Sequence, residues 1–205
     1  MFSRLNTKEG EIANDIISKG LSKAALSLEQ IIQSKVELNP INVTYDKIDA
    51  IFQYTKKNDA KTHLLKTEIK GEIKGICYLV FTIDEINKIH QKCLPTKILE
   101  SQSLNDMMMK GAILKEIDNM LSAAVITEFA NRLKVDIYGD VPNLKVVKEN
   151  TINSIIDEEA EEHECFVNFR TIMHAEELDI SADFIWLMDD DFIDSIKFSV
   201  SQINV

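Results

Sequence analysis

The sequence is poor in the features that mark several common protein classes. It has three cysteines in 205 residues, and none lies in a Cys-x-x-Cys pair. The number argues against a disulfide framework, and the spacing argues against a zinc or thioredoxin-type site. The four histidines show no His-x-x-x-His spacing. No arrangement of a nucleophile with a base is recognisable either, which argues against a small-molecule hydrolase.

Long apolar runs and basic charge are also missing. The longest apolar run, Ile76 to Phe81, is much too short to span a bilayer. The first twelve residues, MFSRLNTKEGEI, contain no apolar signal core. The net charge of -11 argues against nucleic-acid binding, because nothing offsets repulsion by phosphate. We therefore expect a cytoplasmic protein with no membrane span and no nucleic-acid partner.

Hydrophobic periodicity and turn signals predict alternating groups of helices and strands. The hydrophobic content of 45% is that of an ordinary soluble protein with a core. Helices are predicted at about 7–34, with a possible interruption near Gly20, and at 85–93, 103–133 and 190–198. Strands are predicted at about 35–43, 47–54, 61–69, 73–82, 134–137, 144–148, 164–173 and 179–188. The span 151–162 fits either a helix or a loop.

The order of elements repeats along the chain. Glu11 corresponds to Glu116 at an offset of 105, and the apolar run 77–81 corresponds to 184–188 at 107. The runs CYLVF and FIWLM do not alternate, which is typical of central strands covered on both faces. The pattern predicts one α+β domain over 1–205, made of pseudo-repeats at about 1–97 and 98–205. Long helices should pack on an antiparallel sheet with pseudo-two-fold symmetry.

One short motif occurs in the first helix of each repeat. Glu11-Ile12-Ala13-Asn14 and Glu116-Ile117-Asp118-Asn119 both place a carboxylate and a carboxamide three residues apart. At that spacing the two side chains share a helix face. The residues one turn away on that face are small: Thr7 and Ser18 in the first helix, Ala112 and Ala123 in the second. We expect this face to look outward, with little bulk to block a partner.

The two groups offer complementary chemistry. A Glu carboxylate forms a charge-assisted hydrogen bond with a cation on a partner. An Asn carboxamide can both donate to and accept from one water molecule. Alignment of such a water beside a phosphoryl group is a large part of phosphoryl-transfer catalysis. A single Glu-x-x-Asn, such as Glu128 and Asn131, is usually a solvated surface. Its duplication at matching places favours a functional site.

These motifs resemble the paired signatures of the CheC-type chemotaxis phosphatases, related to CheX and FliY. The family pattern is Asp or Ser, three residues, Glu, two residues, Asn, twenty-two residues and Pro. The second copy fits from Glu116 to Pro142, and the resemblance covers essentially the whole chain. The chain departs from the pattern at Thr7 and Ala112, where the family has Asp or Ser, at Asp15 and Asp118, and at Pro40, three residues beyond the expected site.

The resemblance implies a mechanism. The family dephosphorylates CheY, a response regulator that carries an aspartyl phosphate. Asn14 or Asn119 would orient the attacking water, and Glu11 or Glu116 would pair with the regulator's lysine. Mg²⁺ would belong to the regulator, so the chain would need no cofactor or metal of its own. The resemblance also implies CheD as a further partner. The second site should contribute more, because its motif fits better.

The alternative is a non-enzymatic protein of the same fold, such as an adaptor or a flagellar-switch-like component, that binds a response regulator or CheD. The extra acids Asp15 and Asp118 motivate it. Three other features have simple explanations. The acidic run 157–164 is expected to be solvated rather than to bind a metal. One or two of Met107, Met108 and Met109 should fill core gaps, and Trp186 should pack in the sheet.

Overall fold

A computed structural model describes residues 5–44, 60–162 and 167–203. Over these ranges it forms a seven-stranded antiparallel sheet with long helices packed against it, so the predicted α+β architecture is confirmed. The strand predicted at 47–54 lies outside the described residues. The helices are α1 (Thr7–Ile32), α2 (Ile83–Cys93), α3 (Thr96–Glu100), α4 (Leu104–Leu133), α5 (Ile152–Glu162) and α6 (Asp190–Ile203). The strands are β1 (Val36–Thr44), β2 (Lys61–Gly71), β3 (Gly75–Thr82), β4 (Ile137–Gly139), β5 (Asn143–Lys148), β6 (Val167–Ala175) and β7 (Ile180–Met188).

Local sequence signals fix most helix ends. Asn6 caps α1 in a capping box, since Glu9 N donates to Asn6 Oδ1 at 3.0 Å and Asn6 N donates to Glu9 Oε2 at 2.8 Å. Thr82 caps α2 in a second capping box, with Glu85 as its partner. Lys134, predicted to begin a strand, instead ends α4 in the left-handed conformation with φ 61°.

The sheet order is β1-β6-β7-β3-β2, and β4 and β5 both pair with the free side of β2. β3 and β7 are central, and their side chains are buried on both faces as predicted. One face packs against α1, α4 and α6 in a core that includes Trp186, which is fully buried as expected. The other face packs against α5. β1 is an edge strand with a register shift between Pro40 and Asn42, the irregularity that a proline in a strand predicts.

The pairing of strands and helices is consistent with a duplicated unit. β1 pairs with β6, and β4 and β5 pair with β2, so each predicted half supplies strands to the other. On β3 and β7, Tyr78 pairs with Ile185, and these partners are 107 residues apart. On α1 and α4, Gly20 lies against Val125, 105 residues later. Both intervals equal the offsets in the sequence, and the division into pseudo-equivalent halves at about 1–97 and 98–205 stays a prediction.

Gly20 marks the close contact of the two long helices and does not interrupt α1. A Cβ atom at this position would lie 3.3 Å from the backbone of Val125. The helices run in opposite directions, because Asp15 near the start of α1 contacts Arg132 near the end of α4. Glycine therefore allows the two backbones to approach at the centre of the pair.

The prediction for the three methionines of α4 is wrong. Met107, Met108 and Met109 are 58%, 67% and 42% exposed. The first buried residue of α4 is Leu114, and Ile113 before it packs only partly against the core. The three methionines lie earlier in the helix, where none of its side chains is buried.

Candidate functional site

The structure places the four predicted site residues on two separate surfaces. Glu11 and Asn14 are exposed on α1, and Glu116 and Asn119 are exposed on α4. Ile16, Ile117 and Leu121, on the adjoining stripes, are buried and fix the orientation of these faces. Each Asn lies six residues before the helix contact at Gly20 and Val125, about 9 Å along its own helix. Because the helices are antiparallel, the two pairs lie on opposite sides of that contact.

A groove lies beside the second pair, between α4 and the second half of α1. Its volume is about 520 Å³. The lining is mainly apolar and small, with one cation at the edge, and consists of Lys23, Leu26, Ser27, Met120, Ala123, Ala124 and Thr127. Met120 follows Asn119 in the chain, and Ala123 lies one helical turn beyond it on the same face. The groove is therefore continuous with the surface that carries Glu116 and Asn119.

The equivalent surface beside the first pair is charged. The residues 105 positions away from the groove lining are Asp15, Ser18, Lys19, Ser22, Glu128, Asn131 and Arg132. Asp15 Oδ2 accepts hydrogen bonds from Lys19 Nζ at 2.6 Å and Arg132 at 2.8 Å. These bonds hold the pKa of the Asp15 carboxyl below its ordinary value. Glu128 also pairs with Lys23 and, at 3.9 Å, with Arg132. Ion pairs therefore span the two helices where the second site has an open groove.

The N-terminal ends of the two helices also differ. α1 begins at Thr7, which corresponds to Ala112 on α4, so the first two turns of α4 have no counterpart on α1. These turns place Leu104 and Met108 on the stripe that continues to Glu116 and Asn119, and the two apolar side chains are 76% and 67% exposed. The second site therefore has apolar surface at both ends.

Asp118 is the residue whose position was missed by sequence reasoning. It neighbours Asn119 in the chain but points the opposite way, into the core, with 0% exposure. Thr67 Oγ1 on β2 donates to Asp118 Oδ2 at 2.6 Å, and Oδ1 has no hydrogen-bond partner among the described residues. Burial raises the pKa of the carboxyl to about 7, against the opposing effect of the Thr67 hydrogen bond. The spacing of Leu114, Asp118 and Leu121 predicts this core-facing orientation.

The acidic run at 157–164 was expected to be solvated. Within the described part of the run, Asp157, Glu158 and Glu161 are exposed, and Glu159 forms a salt bridge with Lys66 at 2.6 Å. The described residues contain no group of three His, Cys, Asp or Glu side chains placed to hold a metal ion. None of the helices in the described ranges has the length and apolar character needed to cross a bilayer.

Comparisons with known proteins show which proteins this chain is similar to. No family model matches the chain. The chain is 15% identical over 146 residues to the CheY-P phosphatase CheC of Bacillus subtilis (strain 168), an alignment that covers 71% of this chain and 70% of CheC. Its structure is similar to FliY of Thermotoga maritima, with a TM-score of 0.68, 15% identity and coverage of 97% and 98% of the two chains.

A third relative has been crystallised with a partner. In the CheX-CheY-BeF3-Mg²⁺ complex of Borrelia burgdorferi, the matched chain is similar with a TM-score of 0.56 at 10% identity. The match covers 85% of this chain and 97% of that one. The likeness shows a shared architecture of long helices on an antiparallel sheet. The resemblance to the CheC, CheX and FliY family is thereby confirmed, and the chain has the fold of these proteins.

Proposed function

We propose that the protein hydrolyses the aspartyl phosphate of a CheY-type response regulator, chiefly at the second site. The observation that carries the proposal is the exposed pair Glu116 and Asn119 beside an apolar groove, in a fold shared with CheC, CheX and FliY. CheC is a CheY-P phosphatase, and a CheX has been crystallised with CheY carrying the beryllium fluoride ligand BeF3. The partner proposed for this chain is a regulator of that kind.

In the proposed mechanism, Asn119 orients the nucleophile. Its carboxamide accepts a hydrogen bond from a water molecule and holds the water oxygen in line with the phosphorus–oxygen bond. Attack forms a bond from the water oxygen to phosphorus and breaks the bond to the regulator's aspartate. The products are the free aspartate and inorganic phosphate, which keeps one proton of the water and releases the other to solvent. Mg²⁺ held by the regulator offsets the charge on the phosphoryl group.

Glu116 has a docking role in this proposal. Its carboxylate is exposed one turn from Asn119, where it can meet the lysine of the regulator's active site. A charge-assisted hydrogen bond there would fix the distance between Asn119 and the phosphoryl group. Chemistry of this kind needs positioning rather than a nucleophile on the enzyme, and the two side chains supply it.

The first site is proposed to contribute less. Glu11 and Asn14 are exposed as Glu116 and Asn119 are, but Asp15, next to Asn14, is tied to Lys19 and Arg132. A regulator domain that rests on this surface meets an ion-pair network instead of an apolar groove. Docking there would remove water from charged side chains and gain little apolar contact in return, which weakens binding.

Phosphate release from a phosphorylated CheY-type regulator tests the proposal. The double variant Asn14→Ala/Asn119→Ala should lose the acceleration. The matched control is Asn131→Ala, which removes an exposed Asn three residues after Glu128, a glutamate buried in salt bridges. The control should keep the acceleration, because its Glu is not available for docking. Unchanged release by the double variant would contradict the mechanism.

A second candidate is binding of a response regulator, or of CheD, without hydrolysis. The salt bridges of Asp15 favour it for the first site, because they stabilise that surface without adding a catalytic group. Tight binding of the regulator with no acceleration of phosphate release by the wild-type protein would establish this adaptor role instead.

A further inference from the structure

A buried acid links the turn of α4 that carries Asn119 to the sheet by a hydrogen bond. Asp118 and Thr67 are both fully buried, and the hydrogen bond between their side chains joins α4 to β2. The equivalent residue behind the first site, 105 positions earlier, is Ala13, which is also fully buried. The two sites thus have the same exposed pair but different residues on the inner face of the helix.

We propose that Asp118 is a positioning residue for the second site: its neutral acid fixes the turn of α4 that presents Asn119, and its ionisation loosens that turn. The inference rests on the proposed function of Asn119. As a neutral acid, Asp118 can remain in the core with its bond to Thr67. As a carboxylate it has one donor and an unpartnered Oδ1 among the described residues, which is a costly arrangement in an apolar site.

The surroundings of Asp118 contain little that would offset a charge. The titratable group that faces it from β3 is Cys77, which pairs in register with Thr67. Burial, and then the charge of Asp118, raise the pKa of the Cys77 thiol well above its ordinary value. A thiol that stays protonated brings no positive charge to the site. Ionisation of Asp118 is therefore opposed by burial on every side.

On the other elements packed against α4, the charged and titratable groups lie farther from Asp118 than Cys77 does. On β2, His63 is four residues from Thr67, about 13 Å along the strand. On α2, His90 Nε2 contacts the carbonyl oxygen of Lys110 at 2.9 Å, eight residues and about 12 Å from Asp118 along α4. On α3, Lys97 acts on Asp106, one turn earlier still.

The charged groups of the remaining elements are also distant from Asp118 or face away from it. On α1, Lys23 pairs with Glu128, ten residues and about 15 Å beyond Asp118. On β5 the charged residue of the helix-facing side is Lys148, at the far end of β2 opposite Lys61. β4 turns Tyr138 to the other face of the sheet. α6 meets α4 at the aromatic contact of Phe192 with Phe129, eleven residues from Asp118.

Hydrogen exchange of the full-length protein measures the proposed loosening directly. When the turn opens, the pKa of the Asp118 carboxyl returns to its ordinary value. The closed form therefore binds one more proton than the open form between about pH 4 and about 7. Protection of the α4 amides around Asp118 should fall about tenfold per pH unit between pH 5 and 7 and level off above 7. Asp118→Asn should remove this dependence, and the α1 amides around Ala13 are the internal control. Equal pH dependence of α4 in the wild type and in Asp118→Asn would overturn the inference.

Kinetic measurements test the consequence for Asn119. They use the Asn14→Ala background, in which Asn119 is the remaining Asn of the two proposed sites. The ratio of kcat at pH 6 to kcat at pH 8 should be about threefold greater with Asp118 than with Asp118→Asn, because the isosteric amide keeps a neutral partner for Thr67. Asp118→Ala should lower kcat at both values, since it removes the link to Thr67. Identical ratios with Asp and Asn would overturn the positioning role even if exchange differed. If hydrogen exchange shows the expected pH dependence but the protein has no phosphatase activity, the role of Asp118 in fixing α4 is supported and the proposed function is refuted.

Discussion

The two Glu-Asn sites occupy equivalent positions on α1 and α4, yet their surroundings differ in three respects. Beside the first pair, Asp15 forms ion pairs with Lys19 on its own helix and with Arg132 on α4, whereas an apolar groove lies beside the second. α4 extends two turns further at its N-terminus than α1 does. Behind the exposed pair, the first helix buries Ala13 and the second buries Asp118.

These differences show how a duplicated motif can keep its spacing while its environment changes. The exposed residues depend only on helix geometry, so they remain superficially alike in both copies. Docking depends on the charge and shape of a much wider area, of the order of 800 Å² per partner. A circle of that size around Asn119 has a radius of about 16 Å, which includes the groove and reaches Met108. The two sites should therefore be unequal, and four changes to the sequence test this expectation.

The greatest change is expected in the pH dependence of the free energy of unfolding. Asp118 has a pKa of about 7 in the folded chain and an ordinary value near 3.9 in the unfolded chain. The stability that its protonated carboxyl contributes is therefore fully present below about pH 4 and is lost as the pH rises through 7. Relative to the wild type, Asp118→Asn should gain stability over this window, by up to about 4 kcal/mol at pH 8. Urea unfolding of both proteins at pH 4.5, 6 and 8 measures the gain. A difference in unfolding free energy that does not change with pH would contradict a carboxyl with a raised pKa.

The next effect separates the sites by activity. Asn119→Ala should lower phosphate release from the regulator by about 100-fold, because the water loses its positioning group. Asn14→Ala should lower it by no more than about twofold, since the first site contributes little. Single-turnover measurements with each variant and with the Asn131→Ala control test the ranking. Equal losses from the two variants would show that the ion pairs beside Asn14 do not hinder docking.

A change in the groove should affect binding rather than chemistry. Ala123→Arg places a long charged side chain in the groove and should raise KM about tenfold with a small effect on kcat, because apolar contact surface is lost. Ser18→Arg, at the equivalent exposed position beside the first site, is the matched control and should leave KM nearly unchanged. If both variants raised KM alike, the groove would have no special part in docking.

The smallest expected effect lies at the edge of the surface. Met108→Glu should weaken regulator binding about threefold, since rim contacts contribute little and the side chain is 67% exposed. Phe198→Glu on α6 is a control of similar exposure on a different element, at 64%. Titration calorimetry with the beryllofluoride form of the regulator gives both affinities. Equal affinities for the two variants would confine the docking surface to the C-terminal side of Ala112.

Much of the fold follows from the sequence because its signals are local. The capping box of Asn6 and Glu9 and the uninterrupted apolar runs of β3 and β7 depend on residues within one element. The two exposed pairs follow in the same way from helix periodicity. The ion pair of Asp15 with Arg132 could not be predicted, because it depends on how two helices 117 residues apart are aligned.

The methionines of α4 and Asp118 show why burial was predicted wrongly at some positions. Three consecutive apolar residues suggested core packing, but none of the first ten residues of α4 is buried, and the sequence does not show where along a helix burial begins. Asp118 fits the core-facing stripe by its spacing, and its charge conceals that fit. In both cases the prediction of burial requires the surface against which the helix packs, because burial depends on two elements in contact and not on one.

The exchange of strands between the predicted halves has a consequence for how the chain is assembled. β1 can find its partner only after β6 has been made, more than 120 residues later, and β2 receives β4 and β5 from the other half. Because each half supplies strands to the other, we expect that two fragments cut near residue 97 would need each other to complete the sheet. During synthesis, we therefore expect the helix that carries the first Glu-Asn surface to complete its packing late, because α4, β6 and α6 all follow it in the chain.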